Sequence, residues 1–398
     1  MIPRFAPRLG VAELWAAGFP ARDAVQSFER GVAKKFHALD AVAFPYGRAA
    51  QWAFFKAVGI EGVDIHMPAY TCSVVAHSIS LSGNNPRFID IKLDDYNMDL
   101  GQLADSMTER TRAIIATNTF GYPQDVVTLQ EIVRDAEKRY GHKVWLMQDC
   151  CHSFGARWGD RFVGEIGDVA VYAFNVSKHL TSIFGGVLTF GDQELADQLR
   201  SWRDAHFSKP TFAKAIRRLV YLVAIYCAFN RSVYGATWYL SERTSLLDRY
   251  TKSFHLDDKI HFPADYLEQM SPGEAAVGIE QLTRYDQILE DRRTNAEFWE
   301  RSLRGRKEWA LAPIREGATY SHYVARVPDR RETVDEFGRL GLHLGELIQY
   351  SIPDIKSYAA LEQECPNSRK ASRHTVNFPV TESPARLSKW LSRVGNLS

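Results

Sequence analysis

Short apolar segments alternate with amphipathic helical patterns through the middle of the chain, and this alternation limits the fold more than any other feature of the sequence. Continuous apolar runs of strand length suit strands that are buried on both faces. Six such runs end in polar or turn residues: 64–70, 87–91, 112–120, 143–149, 168–174 and 186–190. Between them, residues 128–140 carry apolar side chains at helical spacing, and Thr128 with Glu131 predicts a capping box. The alternation predicts an α/β layer with a mostly parallel sheet.

The C-terminal third of the chain predicts a smaller α+β unit. A long amphipathic helix over 273–293 leads into it. The further expected elements are a strand at 322–327, a helix at 332–340, a strand at 342–348 and a helix after Pro384. A chain of 398 residues is long enough for about two to three domains. We therefore divide it into a large unit at 1–265 and a connecting helix with a small unit at 266–398.

Composition argues against several classes of partner. The 49 basic residues are balanced by 48 acidic ones, which leaves no excess positive charge for nucleic acid or an anionic membrane. Five cysteines are scattered without a CxxC pair, which predicts reduced thiols, no metal site and a cytoplasmic protein. The N-terminus has no long apolar run behind its basic residues, so no secretion signal is expected.

The segment 207–265 is less regular and more aromatic than the rest of the chain. It contains eleven uninterrupted apolar residues, Leu219 to Phe229. About 20 are needed to span a bilayer. We interpret the segment as an apolar insert with a buried or interface helix, and contact with a membrane surface through 217–240 stays open as an alternative.

A single lysine, Lys178, stands in the middle of the apolar stretch "VYAFNVSKHLTSIFGGVLTFGD". A buried ammonium is unfavourable unless it is paired or its pKa is lowered. A lysine made neutral in this way is a good nucleophile toward carbonyl carbon. The alternative is a surface lysine in a strand-to-loop turn.

A carboxylate, Asp149, ends the run 143–149, and His152 follows three residues later. Ligands of parallel α/β sheets gather at the carboxyl ends of the strands, although Asp149 could instead cap the next helix. Pyridoxal phosphate needs an acid at its pyridine nitrogen and a lysine at its aldehyde. An aspartate and a lysine 29 residues apart, each at a strand end, suit that cofactor.

A third candidate element begins at Gly47, which precedes Arg48 and Ala49 at the start of an Ala-rich helix. The N-terminal amides of such a helix could hold a phosphate group. A glycine before a helix is common, so the order of the three elements (phosphate site, acid, lysine) is more informative than any one of them.

These elements, together with their neighbours, resemble the DegT/DnrJ/EryC1/StrS family of pyridoxal-phosphate-dependent sugar aminotransferases. The matching stretches, in order, are "FPYGRAA", "DIHMPAYTCSVVAHSISLSGNNPRFIDIKLDDYNMD", "TERTRAIIATNTFGYPQD", "MQDCCHSFGA", "GDVAVYAFNVSKHLTSIFGG", "AAVGIEQLTRYDQILEDRR" and "CPNSRKASRHTVNFPV". They cover most of the chain except about 207–265. The resemblance implies the aspartate-aminotransferase-like fold, fold type I. Its large domain has a mixed, mostly parallel sheet flanked by helices, and a smaller C-terminal α+β domain follows.

The resemblance also implies roles for individual residues. Lys178 would be the Schiff-base lysine and Asp149 the partner of the pyridinium nitrogen. His152 stands where the family usually has a glutamine on the phenolic-oxygen side of the ring, and its charge would depend on pH. The residues Gly47, Arg48, Ala49 and Ser177 complete the predicted cofactor-binding set.

Five positions depart from the family pattern. Ala173 replaces a serine that contacts the phosphate, Asn175 a histidine, and Cys72 an aromatic residue that stacks on the ring. Leu267 stands where the partner subunit usually lends an asparagine. Arg48 replaces a threonine and could grip the phosphate by charge-assisted hydrogen bonds, unless it is a solvent-facing residue of the helix start.

By resemblance, the chain transfers an amino group, from glutamate, to a nucleotide-linked keto sugar in amino-sugar, surface-polysaccharide or glycoside biosynthesis. A cytoplasmic homodimer with sites between the subunits is implied. Two alternatives remain. One is a sugar dehydratase with the same cofactor, although such relatives replace the lysine by histidine. The other is a non-catalytic or regulatory relative, which the altered phosphate pocket would favour.

Overall fold

The computed structural model describes residues 1–230, 233–243, 260–361, 363–395 and 397, and its centre is a seven-stranded sheet. The strands of the chain are β1 (Asp40–Phe44), β2 (Asp64–Pro68), β3 (Asn85–Ile89), β4 (Thr111–Thr117), β5 (Trp145–Asp149), β6 (Arg157–Trp158), β7 (Arg161–Phe162), β8 (Val169–Ala173), β9 (Gly186–Phe190), β10 (Ala310–Leu311), β11 (Tyr323–Arg326) and β12 (Thr375–Phe378). The order in the large sheet is β1-β9-β8-β5-β4-β2-β3.

Four neighbouring pairs of this sheet are parallel, and the two pairs that involve β9 are antiparallel. This confirms the predicted mixed, mostly parallel sheet. Each of the six predicted apolar runs contains a strand or overlaps one. The first strand, Asp40–Phe44, was not among them, because its five residues are less distinct from the helical sequence that precedes it.

Helices cover both faces of the sheet, so the strands are buried on both sides. They are α1 (Val11–Gly18), α2 (Ala24–Lys35), α3 (Gly47–Ala57), α4 (Ser73–Leu81), α5 (Leu100–Ser106), α6 (Val126–Tyr140), α7 (Gln193–His206), α8 (Phe212–Ala228), α9 (Tyr234–Arg243), α10 (Pro272–Thr283), α11 (Tyr285–Leu303), α12 (Arg330–Arg339), α13 (Pro366–His374) and α14 (Pro384–Val394).

A second, three-stranded antiparallel sheet has the order β10-β11-β12 and lies in the C-terminal part of the chain, as predicted. The expected strand at 342–348 is wrong. Gly345 makes a single bridge to Asn377, and the Asn377 side chain then accepts the next available hydrogen bond, from Leu347 N at 2.7 Å. This side-chain hydrogen bond takes the place of a further backbone hydrogen bond between the two segments. The boundary between large and small units at 265/266 stays a prediction.

Two helix predictions need correction. Helix α6 is capped by Asp125, whose side chain accepts from the amides of Val127 and Thr128, and not by a Thr128–Glu131 box. The single helix expected over 273–293 is two helices, α10 and α11, because Arg284 leaves helical geometry between them.

The apolar run Leu219 to Phe229 forms most of helix α8, but the helix is not buried as one alternative predicted. Its buried residues are Lys214 and Leu222, whereas Phe212, Val220 and Val223 are exposed. Within the described residues, no helix is long and apolar enough to cross a membrane. The parts of the insert at 231–232 and 244–259 lie outside the described residues, and so do two residues of the predicted membrane-contact segment.

Candidate active site

The first turn of α3 lies against the ends of strands β8 and β9. A Cβ atom at Gly47 would come within 2.8 Å of Ala173 Cβ, and a Cβ atom at Gly186 would come within 2.5 Å of Gly47 N. Real Cβ atoms do not approach backbone so closely. The two glycines therefore allow the helix start to sit directly on this edge of the sheet.

The residues at this helix start, Gly47, Arg48 and Ala49, are buried. Tyr46 is the N-cap residue in extended geometry and makes no side-chain cap hydrogen bond. The first intrahelical bond runs from Ala50 N to Tyr46 O at 3.0 Å. The predicted residues Gly47, Arg48 and Ala49 thus supply buried backbone donors with the positive end of the helix dipole.

Arg48 is buried and does not face solvent, which removes the alternative of a solvent-facing residue. Its guanidinium lies 5.9 Å from the ring centre of Tyr46. Burial lowers the pKa of Arg48, and the nearby side chains of Cys72 and Tyr46 act in the opposite direction. The cation is therefore held beside the helix start and beside Cys72.

Asp149 is the last residue of β5 and is buried. Its Oδ2 accepts a hydrogen bond from Thr117 Oγ1 at 3.3 Å, and its Oδ1 accepts from Cys151 N at 3.0 Å. Its backbone carbonyl accepts from Asn118 N at 3.1 Å. These contacts fix the carboxylate at the carboxyl edge of the sheet, and the alternative of a cap for a following helix is wrong because no helix begins there.

Lys178 lies half-buried in the turn that joins β8 to β9. The turn is braced from within, since Asn175 Oδ1 accepts from Ser177 N and Oγ at 3.0 and 2.7 Å and Asn175 O accepts from Lys178 N at 3.0 Å. From outside, Arg292 Nη2 approaches Lys178 O at 3.5 Å. The predicted cofactor residue Ser177 is therefore part of this internal bracing.

Cys151 is the common neighbour of the three predicted elements. It donates its amide to Asp149, and a Cβ atom at Gly47 would lie 3.9 Å from its sulfur. Burial raises the pKa of its thiol well above the ordinary range, the charge of Asp149 adds to that shift, and the charge of Lys178 opposes it. The helix start, the carboxylate and the lysine thus surround one half-buried side chain.

Three buried histidines lie around Lys178. Burial lowers the pKa of each, well below the ordinary range for His152 and His179 and to about 3 for His322, and the charge of Lys178 adds to each shift. Burial therefore opposes protonation of His152 and moves the predicted pH dependence of its charge to lower pH. His152 stacks on Phe120 at 6.3 Å, and its Nδ1 has no hydrogen-bond partner among the described residues.

Sequence reasoning missed several residues of this region. Arg292 donates to the carbonyls of Tyr320 and Ser321 at 3.2 and 2.8 Å, and so joins the small unit to the lysine turn. Tyr46 and Arg218 are hydrogen bonded at 2.6 Å beside the helix start. In the sequence, Tyr46 is marked only by its place directly before Gly47, and Arg218 only by its place at the edge of the apolar run.

The position of Leu267 gives no support to a role in this site of its own chain. Leu267 O accepts from Ser208 N at 2.9 Å, in the short segment that joins the insert to α10. A separate cavity of about 520 Å³ lies between residues 1–9, α8 and the segment 381–386. It shares Arg8 and Thr381 with the small cavity at Lys178.

Comparison with known proteins adds to this geometry. The model of the DegT/DnrJ/EryC1/StrS aminotransferase family matches residues 19–386. The spore coat polysaccharide biosynthesis protein SpsC of Bacillus subtilis is 24% identical over 378 residues, which are 90% of this chain and 85% of that protein. A GDP-4-keto-6-deoxy-D-mannose 3-dehydratase of Yersinia pseudotuberculosis is 25% identical over 70% of this chain and 64% of its own length. Several other curated relatives match over half of their own length or less.

A solved structure shows the same fold. It is a putative sugar aminotransferase of Streptococcus pneumoniae in its PMP form, with a TM-score of 0.77 and 17% sequence identity. The match covers 98% of this chain and 98% of that one. The whole described architecture, including the small C-terminal sheet, is therefore that of fold type I.

Proposed function

Because the chain belongs to the DegT/DnrJ/EryC1/StrS aminotransferase family, we propose that it is a pyridoxal 5'-phosphate enzyme. We further propose that it transfers an amino group from glutamate to a nucleotide-linked keto sugar. The observation that supports this most is the meeting of Gly47, Asp149 and Lys178 around Cys151. These groups are far apart in sequence and have the chemistry that this cofactor requires.

The residues present fit the cofactor. An uncapped, buried helix start suits its phosphate, a fixed carboxylate suits its pyridine nitrogen, and a lysine suits its aldehyde. The unpartnered Nδ1 of His152 is a buried polar atom that a ligand oxygen would satisfy. When bound, pyridoxal phosphate draws electrons from the carbon that carries the transferred amine.

Different groups of this chain would then act on different parts of the cofactor. The amides of Gly47, Arg48 and Ala49 bind the phosphate, with the buried Arg48 cation beside them. Asp149 holds a proton at the ring nitrogen. Lys178 Nζ moves a proton between the two carbons of the transfer, acting as base and then as acid.

The decisive experiment is the absorption spectrum of the purified protein with pyridoxal phosphate, followed by a titration with glutamate. The proposal predicts a visible band that glutamate abolishes with release of 2-oxoglutarate, and that Lys178→Ala lacks from the start. Lys209→Ala, an exposed lysine of the insert, is the matched control and should keep the band. A wild-type protein without any band would contradict the proposal and favour the non-catalytic alternative.

A dehydratase is the second candidate function, because a curated relative with that name matches 70% of this chain. The presence of Lys178 argues against it, since the dehydratase relatives replace that lysine by histidine. Incubation with glutamate and a nucleotide-linked keto sugar separates the two. An amino sugar and 2-oxoglutarate in equal amounts indicate transfer, whereas loss of a sugar hydroxyl without an amino sugar indicates dehydration.

We also propose that the chain is a cytoplasmic homodimer. Helices α1 and α8 contact each other, and both expose large apolar side chains: Val11 and Trp15 on α1, and Phe212, Ile216 and Val220 on α8. Light scattering should give twice the chain mass for the wild type, and half of that for Val220→Glu. A monomeric wild type that binds lipid vesicles would instead support the membrane-surface alternative.

A further inference from the structure

Helix α8 of the insert places two of its three charged side chains, Lys214 and Arg218, inward. The side chain of Arg218 is only 12% exposed, although the neighbouring Val220 and Ile216 are exposed. A helix at a protein surface normally does the reverse. An arginine on the inner face of a helix that exposes apolar side chains therefore needs an explanation from its partners.

Arg218 has four partners within the described part of the chain, and three of them lie outside the insert. Its Nη2 donates to Tyr46 Oη at 2.6 Å and to Asp265 Oδ2 at 2.9 Å. Its Nε lies 2.8 Å from Glu274 Oε1 at the start of α10. Its guanidinium also lies 4.3 Å from the ring centre of Phe184.

Two of these partners belong to the elements that carry the candidate site. Tyr46 is the N-cap residue of α3, immediately before the proposed phosphate-binding amides. Phe184 lies in the turn between Lys178 and β9, and its ring is 5.8 Å from that of Tyr46. Arg218 therefore contacts both the helix start and the lysine turn.

The remaining partners hold Arg218 in place. Tyr46 Oη also donates to Asp265 Oδ1 at 2.6 Å, which closes a ring of three groups. Glu274 is fully buried, and the Ser271 hydroxyl donates to its other oxygen at 2.9 Å. Two carboxylates thus surround one guanidinium, and most of this cluster is removed from water. Such a cluster allows a single arrangement of its side chains.

We infer that Arg218 is a positioning residue for the cofactor's phosphate site, and that the insert is thereby part of the cofactor site. Arg218 does not touch the proposed cofactor position. It fixes Tyr46 and so the direction of the amides of Gly47 and Arg48. This inference rests on the proposed function, since it concerns the same site.

The test compares pyridoxal phosphate with pyridoxal, which lacks the phosphate, by absorbance titration of the cofactor-free protein. For Arg218→Met we expect the dissociation constant of pyridoxal phosphate to rise about tenfold or more, because aligned donors to a charged group are lost. The dissociation constant of pyridoxal should change less than about twofold. A general structural defect would weaken both ligands alike.

Arg217→Met is the matched control. Arg217 directly precedes Arg218 in the same helix. Its side chain is 65% exposed, and its guanidinium lies 3.9 Å from the same Asp265. The Arg217→Met variant should bind both ligands as the wild type does. Tyr46→Phe provides a second variant, should Arg218→Met fail to fold, because it removes only the hydroxyl that Arg218 holds.

The outcomes separate the inference from the proposed function. A wild type that binds neither ligand overturns the proposed function. A wild type that binds pyridoxal phosphate, with variants that bind it equally well or lose both ligands equally, overturns the inference alone. Selective loss of pyridoxal phosphate in Arg218→Met or Tyr46→Phe supports it.

Discussion

The N-cap residue of helix α3, Tyr46, is hydrogen bonded to Arg218 of helix α8, but the two helices bury different kinds of side chain. Helix α3 buries Phe54 and Phe55 against the sheet and offers its N-terminal backbone to the site. Helix α8 buries Lys214 and contributes Arg218, while Phe212 is 81% exposed. The first helix is held by apolar contacts, and the second is held largely by hydrogen bonds and ion pairs.

This difference separates what stabilises the fold from what shapes the site. Apolar burial contributes roughly 25 cal/mol per Å² and dominates stability. A buried polar network contributes little net stability but defines one geometry. We therefore expect the sheet region to govern stability and chemistry, and the inner face of the insert to govern how well the site is formed.

The largest expected effect comes from the sheet edge. Asp149→Asn keeps the shape of the side chain and can still accept from Cys151 N, while its NH2 group would donate to Thr117 Oγ1, and it removes the charge at the ring nitrogen. The rate of amino transfer should fall about a hundred- to thousandfold, because a fixed charge at the reacting group is lost. Asp197→Asn on α7 is the control, since Asp197 is exposed and distant in sequence from the site. Steady-state kinetics check this, and equal losses in both variants would contradict it.

The next effect compares the same residue type in the two helices. Phe54→Ala should lower the free energy of unfolding by about 3–5 kcal/mol, because Phe54 is fully buried and a cavity would remain. Phe212→Ala should change it by less than about 0.5 kcal/mol under conditions where the chain is monomeric. Denaturant titration measures both. A loss in Phe212→Ala that grows with protein concentration would show that a second copy covers this face of α8.

The smallest effect concerns pH. Burial lowers the pKa of His322 to about 3 from its usual 6.5, so the unfolded chain binds a proton that the folded chain rejects. Its stabilising contribution is complete above pH 6.5 and is lost as the pH falls toward 3. Between pH 6.5 and 5, His322→Gln should therefore lose about 2 kcal/mol less than the wild type.

Exposed His206 offers the matched control for that measurement. His206→Gln should follow the wild-type pH dependence, because its ring lies at the surface of α7. Urea titrations at several pH values decide the matter. An unchanged slope for His322→Gln would mean that this ring is not the source of the acid sensitivity.

Sequence reasoning predicted the sheet well because each buried strand is a local apolar run. Asp149 at the end of β5 and the turn around Lys178 are examples. The order of the strands along the chain alone places both at the same edge of the sheet. The capping box at Thr128 was wrong because Asp125 is a stronger N-cap and lies only three residues earlier. Local patterns were enough where local contacts decide the structure.

The insert could not be predicted in the same way. The Tyr46 and Arg218 side chains are hydrogen bonded across 172 residues of sequence, and no periodic pattern marks such a pair. One of the alternatives for the apolar run, a buried helix, was wrong, because α8 exposes Phe212, Val220 and Val223. The orientation of the helix follows from Lys214 and Arg218, most of whose partners come from outside the insert.

The inward arginine also decides how this chain can be recombined with its relatives. A graft of the insert into another member would bring a buried cation with Asp265 but without its other acceptors, unless Tyr46 and Glu274 were transplanted with it. The exchangeable module is thus not a continuous stretch of sequence. Chimeras designed on the three-dimensional neighbourhood of position 218 should fold where those cut at the insert's ends do not.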